Sequence, residues 1–136
     1  MPAGDRLQPR RITFQLHQRR EAGIRRIVCV TGATIGDLPA TLSPALRALA
    51  TVARRRQPGV MADRAAQEMI VMGSALDWTL VKPPRLTDAA RTGTVHADPA
   101  LPVGLLSRIG RHDLAEFVFR AATQDRFVNQ RVYVRN

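Results

Sequence analysis

The sequence predicts an α/β fold in which parallel strands lie between layers of helices. Two short apolar runs, at residues 27–30 and 78–81, are rich in β-branched or aromatic residues and are typical of strands covered on both faces. The segments between and after them carry apolar residues at helical spacing. Strands that alternate with helices indicate a layered α/β architecture with a mostly parallel sheet.

The first elements follow from local signals. Gly23 is a suitable C-cap for a short helix that precedes the first strand. A helix is predicted over residues 43–56, with Ser43 as its N-cap and Pro44 at its first position, and the sequence Gln-Pro-Gly at 57–59 is expected to end it. A second helix is predicted over residues 62–72. Its expected inner face consists of Ala62, Ala65, Ala66, Met69 and Ile70.

Local sequence signals also indicate the elements of secondary structure after residue 82. Pro83 and Pro84 stop the second strand, because proline cannot continue a central ladder. Residues 86–106 are rich in turn-forming residues and are expected to hold little regular structure. An amphipathic helix is predicted to start near Gly110, and residues 131–134 form a short closing strand.

Composition excludes several classes of protein. At 136 residues, with 45% hydrophobic and 24% charged residues, the chain suits one globular domain rather than a disordered segment. No apolar run reaches the roughly 18–20 residues of a membrane-spanning helix. The single cysteine, Cys29, excludes a disulfide framework and fits a cytoplasmic location. His17, His96 and His112 lie far apart, so no metal site is predicted.

The net charge of +10 is the unusual number, and every cation except Lys82 is an arginine. Aromatic residues make up only 4%, and the cations are spread along the chain, which disfavours a specialised nucleic-acid interface. Non-specific, salt-sensitive binding to polyanions is expected from this charge. Residues 1–20 are interpreted as a basic N-terminal arm.

Several stretches, taken in their order along the chain, together resemble part of a known protein family. They are GIRRIV at 23–28, TGA at 31–33, IGD at 35–37, ADR at 62–64, QE at 67–68, SALDWTLVKPPRLTD at 74–88, RTG at 91–93 and IGRHDLAEF at 109–117. Together they resemble the C-terminal half of the atypical short-chain dehydrogenase/reductase family that binds NAD(P)H. This family includes the NmrA-like and the biliverdin reductase B/flavin reductase types. The resemblance covers most of residues 22–136.

The resemblance implies a partial Rossmann-like fold, a doubly wound parallel sheet in three layers that residues 21–136 contribute as the C-terminal part of a dinucleotide-binding domain. The chain contains no G-x-G-x-x-G turn, and its first strand corresponds to the fourth strand of the family. The expectation is therefore that the first half, with the adenosine site, is absent and that binding of NADP or NAD is impaired.

The resemblance also implies a site beyond the carboxyl ends of the strands, on the nicotinamide side. The expected cofactor contacts are Thr31, Gly32, Pro83, Pro84, Arg85 and Leu86, with Thr31 and Arg64 as catalytic candidates and Arg85 and Arg91 as contacts for an anionic substrate. Arg64 stands where the family commonly has lysine, and Met61 where it commonly has tyrosine. No tunable lysine or phenol is therefore expected at these positions.

Three functions stay open. The first is an NAD(P)H-dependent reductase whose ancestral activity transfers a hydride to a small-molecule acceptor of the flavin, quinone or tetrapyrrole type. The second is a non-catalytic regulatory or sheet-completing module. In the usual strand order, loss of strands one to three would expose the strand from Ile27 to Val30 as an apolar edge, which predicts a homodimer or a partner chain there. The third is a basic nucleic-acid-associated protein.

Overall fold

The protein is described here by a computed structural model that covers Leu16 and residues 18–136, so most of the predicted arm at 1–20 lies outside the described residues. The strands are β1 (Arg26–Val30), β2 (Asp77–Lys82), β3 (Arg85–Thr87), β4 (His96–Asp98), β5 (Arg108–Gly110) and β6 (Gln130–Arg135). The helices are α1 (Pro44–Arg56), α2 (Pro58–Met72) and α3 (Arg111–Thr123).

The main sheet has the strand order β1-β2-β6-β4. Strands β1, β2 and β6 are parallel neighbours, and β4 adds to β6 in the antiparallel direction. Helices α1 and α2 connect β1 to β2, and α3 connects β5 to β6. The α/β class and the parallel order expected from the sequence are therefore confirmed.

Alternate side chains of the sheet enter two separate hydrophobic clusters. Ile27 and Leu80 pack with Val71 of α2 on one face. Val81 and Val132 pack with residues of α3 on the other face. Since helices cover both faces of the parallel strands, the molecule has the expected three layers.

The Gly23 prediction is confirmed at the end of the first described helical turn. Gly23 has a φ of +80°. The N–H groups of Gly23 and Ile24 donate to the carbonyls of Arg20 and Arg19, both at 3.0 Å. This pair of bonds is the Schellman pattern, which ends a helix at a residue in the left-handed region.

Helix α1 has the predicted start, whereas α2 does not. The Ser43 hydroxyl accepts from the Leu46 N–H at 3.2 Å, as an N-cap does. Helix α2 begins at Pro58, earlier than predicted, because proline at a first helical position loses no hydrogen bond there. The Gln-Pro-Gly sequence therefore separates two consecutive helices by a single residue, Gln57.

The predicted inner face of α2 is partly wrong. Met69 is 66% exposed and Ala62 is also exposed, whereas Glu68 and Val71 are the buried residues of this helix. The spacing of small apolar residues along α2 left its orientation weakly determined. Helix α2 is turned so that Glu68 meets a buried lysine of the sheet, as described below.

The segment at 86–106 holds more regular structure than predicted. Its first residues complete β3, which pairs with β5 in a small parallel sheet. Its middle forms β4, which extends the main sheet beyond β6. The predicted start of α3 after Gly110 and the closing strand β6 are confirmed.

Strand β1 lies at one end of the main sheet, and no other strand of the described residues pairs with its outer side. Val30 at its end is 44% exposed, while the residues from Arg26 to Cys29 are half-buried. The expected position of this strand at an edge is confirmed. In the part of the chain that the structure describes, no helix is long and apolar enough to cross a membrane.

Candidate functional site

A cleft of about 630 Å³ lies beyond the carboxyl ends of β1 and β2. Its walls are residues 31–35 after β1, residues 83–86 after β2, the turn at 104–107, Leu46 and Leu49 of α1, and Arg64 of α2. Ligands bind at this end of the strands in open parallel sheets. The volume is within the roughly 300–1,000 Å³ that is usual for small-molecule sites.

The cleft brings together most of the site residues that the sequence predicted. These are Thr31, Gly32, Arg64, Pro83, Pro84, Arg85 and Leu86. Arg91 is not among the lining residues. Its guanidinium instead binds the Glu116 carboxylate of α3, with nitrogen–oxygen distances of 2.5 and 2.9 Å. The structure therefore separates Arg91 from the other predicted contacts.

Backbone hydrogen bonds hold the two principal loops side by side. The Thr31 N–H donates to the Val81 carbonyl at 2.9 Å, which prolongs the β1–β2 ladder. The Ala33 N–H donates to the Pro83 carbonyl, also at 2.9 Å. These bonds fix Thr31 and Pro83 on the same rim of the cleft.

A buried ion pair lies directly behind Thr31. The Lys82 Nζ is 3.0 Å from Glu68 Oε1 and 3.1 Å from Glu68 Oε2, and it also donates to the Ile35 carbonyl at 2.6 Å. The Thr31 hydroxyl donates to Glu68 Oε1 at 2.6 Å. Lys82 is 0% and Glu68 2% exposed. Burial lowers the pKa of Lys82, and the Glu68 carboxylate opposes that shift.

The loop after β1 closes over this carboxylate with a glycine. Gly36 has a φ of +67°, and a Cβ at that position would lie 2.5 Å from Glu68 Oε2. Both the backbone conformation and the space therefore require glycine. The aromatic ring of Tyr133, whose centroid is 5.8 Å from Lys82 Nζ, lies on another side of the ammonium.

Sequence reasoning missed Glu68 and Lys82 as site residues. In the sequence, Glu68 belongs to one of the stretches that carry the resemblance, QE at 67–68, without a predicted role. The available signal was Lys82, because a charged residue that continues an apolar strand requires a buried partner. The partner could not be identified, since α2 and β2 meet only in the tertiary structure.

The charge of the cleft lining is positive. Arg64 and Arg85 are its charged residues, and neither guanidinium makes a hydrogen bond or an ion pair to another described residue. No acidic residue lines the cleft among the described residues. Leu49 is 50% and Leu106 93% exposed at its margin. The lining therefore suits a ligand with a flat apolar part and anionic groups.

A metal centre has no candidate residues in the same region. Throughout the described ranges, Leu16 and 18–136, no three His, Cys, Asp or Glu side chains are grouped closely enough to hold an ion.

Comparisons with known proteins agree on a nucleotide-binding fold. The sequence profile of a family described as NAD(P)H-binding matches residues 11–125. A short-chain dehydrogenase/reductase from Veillonella parvula, solved in complex with NADP, has a TM-score of 0.74 at 13% identity over 96% of this chain and 59% of that chain. ChuY, an anaerobilin reductase from Escherichia coli O157:H7, has a TM-score of 0.71 at 21% identity over 91% of this chain and 56% of that chain.

A third similar structure is the oxidoreductase YlbE from Lactococcus lactis, with a TM-score of 0.67 at 12% identity over 92% of this chain and 52% of that chain. At these identities the likeness concerns the fold, which is Rossmann-like. The chain spans little more than half the length of each of these structures. Among curated proteins none matches the sequence.

Proposed function

Because the chain belongs to the NAD(P)H-binding family, we propose that its cleft receives the nicotinamide half of NADP or NAD. We further propose that the chain supports hydride transfer to an acceptor of the flavin, quinone or tetrapyrrole type. The observation that carries this proposal is the convergence of Thr31, Arg64 and the segment at 83–86 on one cleft at the carboxyl ends of the strands. A bound reduced nicotinamide would supply the hydride.

Each part of the lining has a separate role in this proposal. The backbone at Gly32 and at Pro83 and Pro84 lies against the flat ring and its carboxamide. Arg85 and Arg64 pair with anionic groups of the dinucleotide or the acceptor, since their guanidinium groups are not used elsewhere among the described residues. The exposed leucines at the margin exclude water from the apolar part of the acceptor.

The type of acceptor and the subgroup within the family are finer parts of the proposal. The resemblance to NmrA-like and biliverdin reductase B/flavin reductase types supports a flat, conjugated acceptor. The fold likeness to a protein described as an anaerobilin reductase supports the tetrapyrrole option. We propose residues 21–136 as the domain that carries the site, and Arg91 as no more than an outer contact of the substrate.

The affinity of this chain for the dinucleotide is expected to be modest. Its sequence contains no glycine-rich turn of the G-x-G-x-x-G type, with which related domains bind the pyrophosphate at a helix N-terminus. Arginine side chains contribute anion contacts, but they are less preorganised than backbone N–H groups.

A titration with NADPH and NADH tests the proposal, using nicotinamide fluorescence and thermal shift at physiological salt. Saturable binding that survives added salt is expected. Arg85→Ala should weaken binding about tenfold, the value of one charge-assisted contact. Arg55→Ala is the matched control, because Arg55 is an exposed cation of α1 outside the cleft.

Two other results of the titration would contradict the proposed dinucleotide site. Binding that disappears in modest salt and weakens equally in both variants would show that net charge acts alone, as in the nucleic-acid alternative. Absence of any saturable binding would remove the dinucleotide site from this chain.

One observation favours a second candidate, the sheet-completing module. The outer side of β1 has no strand partner among the described residues. We propose that a second copy of the chain, or a partner chain, adds a strand there. The two candidates are compatible, because the edge of β1 and the cleft at its carboxyl end are different surfaces.

A further inference from the structure

We propose that Glu68, held by Lys82, positions the Thr31 hydroxyl as a hydrogen-bond acceptor toward the cleft, and that this acceptor receives the carboxamide NH₂ of the nicotinamide. The inference rests on the proposed function of the cleft and adds to it the direction of one hydrogen bond between Thr31 and the ligand. Neither Glu68 nor Lys82 lines the cleft. Both act through Thr31, so they are positioning residues.

The Thr31 hydroxyl donates its hydrogen away from the cleft. A threonine hydroxyl has one hydrogen to donate and two lone pairs to accept with. Thr31 uses that hydrogen on Glu68 Oε1 at 2.6 Å, a short distance typical of a hydroxyl bound to a carboxylate. Thr31 also lines the cleft. Any ligand group at its oxygen therefore meets lone pairs.

The buried Glu68 carboxylate keeps the hydroxyl from turning around. Glu68 is 2% exposed, and the Lys82 ammonium donates to its Oε2 at 3.1 Å and lies 3.0 Å from its Oε1. A carboxylate in this state only accepts hydrogen bonds. If Thr31 pointed its hydrogen at the cleft, two oxygens would face each other at 2.6 Å without a proton between them. Burial makes such an unsatisfied contact costly.

Lys82 and Gly36 hold the orientation of Glu68 itself. Lys82 is 0% exposed and also donates to the Ile35 carbonyl at 2.6 Å, so the ammonium is tied to the loop after β1. The carboxylate packs closely against Gly36 of that loop, at a position where a Cβ would lie 2.5 Å from Glu68 Oε2. The acceptor polarity of Thr31 is thus built in before a ligand arrives.

The consequence is a preference for hydrogen-bond donors at this point of the cleft. A substrate carbonyl would present a second acceptor and would be repelled. The donor that projects from the nicotinamide ring is the carboxamide NH₂. Thr31 therefore orients the ring that delivers the hydride and does not polarise the acceptor's carbonyl.

A comparison of NADH with its 3-acetylpyridine analogue tests this assignment, because the analogue has a methyl group where NADH has the amide NH₂. The wild-type chain should bind NADH about three- to tenfold more tightly, as expected for one neutral hydrogen bond. Thr31→Val should bind both equally, and Thr31→Ser should restore the preference. Thr51→Val, a change on the exposed face of α1, should keep the wild-type ratio.

Glu68→Gln gives a sharper readout, since it should reverse the direction of the hydrogen bond between Thr31 and residue 68. Lys82 requires an acceptor and donates to Oε2, so the glutamine oxygen takes the Oε2 position and the glutamine NH₂ takes the Oε1 position next to Thr31. Thr31 then accepts from the glutamine and points its hydrogen at the cleft. The preference for NADH over the analogue should shrink to about unity or invert. A purely structural role for Glu68 would weaken both ligands in parallel and leave the ratio unchanged, which would overturn the positioning role.

A ligand-free measurement separates this inference from the proposed function. The Thr31 hydroxyl proton should appear in the proton NMR spectrum as a slowly exchanging resonance that is absent in Thr31→Val. Its absence from the wild-type spectrum would overturn the fixed polarity, even if Glu68→Gln fails to fold. If the resonance is present and NADH and the analogue bind equally, the carboxamide assignment is wrong. If neither ligand binds, the proposed function fails, and with it the ligand assignment.

Discussion

Gly36 is the residue at which local backbone geometry and the buried ion pair meet. We expect Gly36→Ala to lower the free energy of unfolding by about 1–3 kcal/mol, since alanine is strained at positive φ and its Cβ would collide with the Glu68 carboxylate. Gly59→Ala is the control, because a Cβ at Gly59 would meet nothing within 4 Å. Urea denaturation should show a loss of stability in the first variant alone. Equal midpoints would contradict the close packing over Glu68.

Asp113 is the second residue that gives a measurable prediction, because its pKa is lowered in the folded chain. Hydrogen bonds from the Thr92 hydroxyl and from the Thr92 and Gly93 N–H groups lower the pKa of Asp113 to about 2, and the Asn136 amide adds a further bond. These groups tie the 92–93 loop and the C-terminal residue to α3.

Stability should therefore fall as the pH drops from about 4 toward 2. The pKa of Asp113 in the folded chain lies below its ordinary value of 3.8, so the unfolded chain takes up the proton first. The stabilisation is present above pH 4 and is lost as the pH falls through the folded value. Asp113→Asn should flatten the difference in stability between pH 5 and pH 2, as measured by chemical denaturation. An identical pH profile in the variant would remove Asp113 as its cause.

The sequence predicted single residues unevenly. Thr31 and Arg85 line the same cleft because each follows a parallel strand, and the carboxyl ends of such strands meet. Glu68 was not predicted, because its partner Lys82 is 14 positions away on a different type of element. Arg91 was expected to contact an anionic substrate, but its contact with Glu116 depends on where α3 packs, which no local sequence pattern predicts.

At the scale of elements, α1 offers a clear test of its N-cap. Ser43→Ala should lower the free energy of unfolding by about 0.5–2 kcal/mol, because the Leu46 N–H loses its side-chain acceptor. Thr51→Ala is the control within the same helix, since its exposed hydroxyl bonds only to the carbonyl of its own helix at Arg47. Thermal denaturation of the two variants should differ. A Ser43 variant as stable as the control would mean that Pro44 alone determines the start of α1.

Strands were easier to predict than the rotation of helices. Strands β1 and β2 show as continuous apolar runs, and their parallel pairing follows from the helices between them. Two of the inner residues predicted for helix α2, Ala62 and Met69, are exposed, because alanine and methionine along its length favour no single face strongly. The burial of a charged residue then decided its orientation, and propensity scales do not anticipate a buried ion pair.

At the scale of the whole molecule, the open side of β1 predicts association. Sedimentation velocity should show a species that grows with protein concentration, since an unpaired strand edge is a template for another strand. Val30→Lys should reduce the association, because a charge at the edge opposes pairing. Val60→Lys is the matched control: Val60 is 42% exposed on α2, close to the 44% of Val30. A wild-type chain that stays monomeric at high concentration would contradict the prediction.

The anchoring of α2 at Glu68 has a consequence for how such a cleft can diversify. Arg64 precedes Glu68 by four residues, so the two side chains lie one turn apart on the same side of the helix. Because the ion pair with Lys82 fixes the rotation of α2, position 64 projects into the cleft whatever residue occupies it. The scaffold therefore separates the residue that anchors the helix from the residue that faces the cleft, and a substitution at position 64 changes the chemistry of the cleft without removing the anchor.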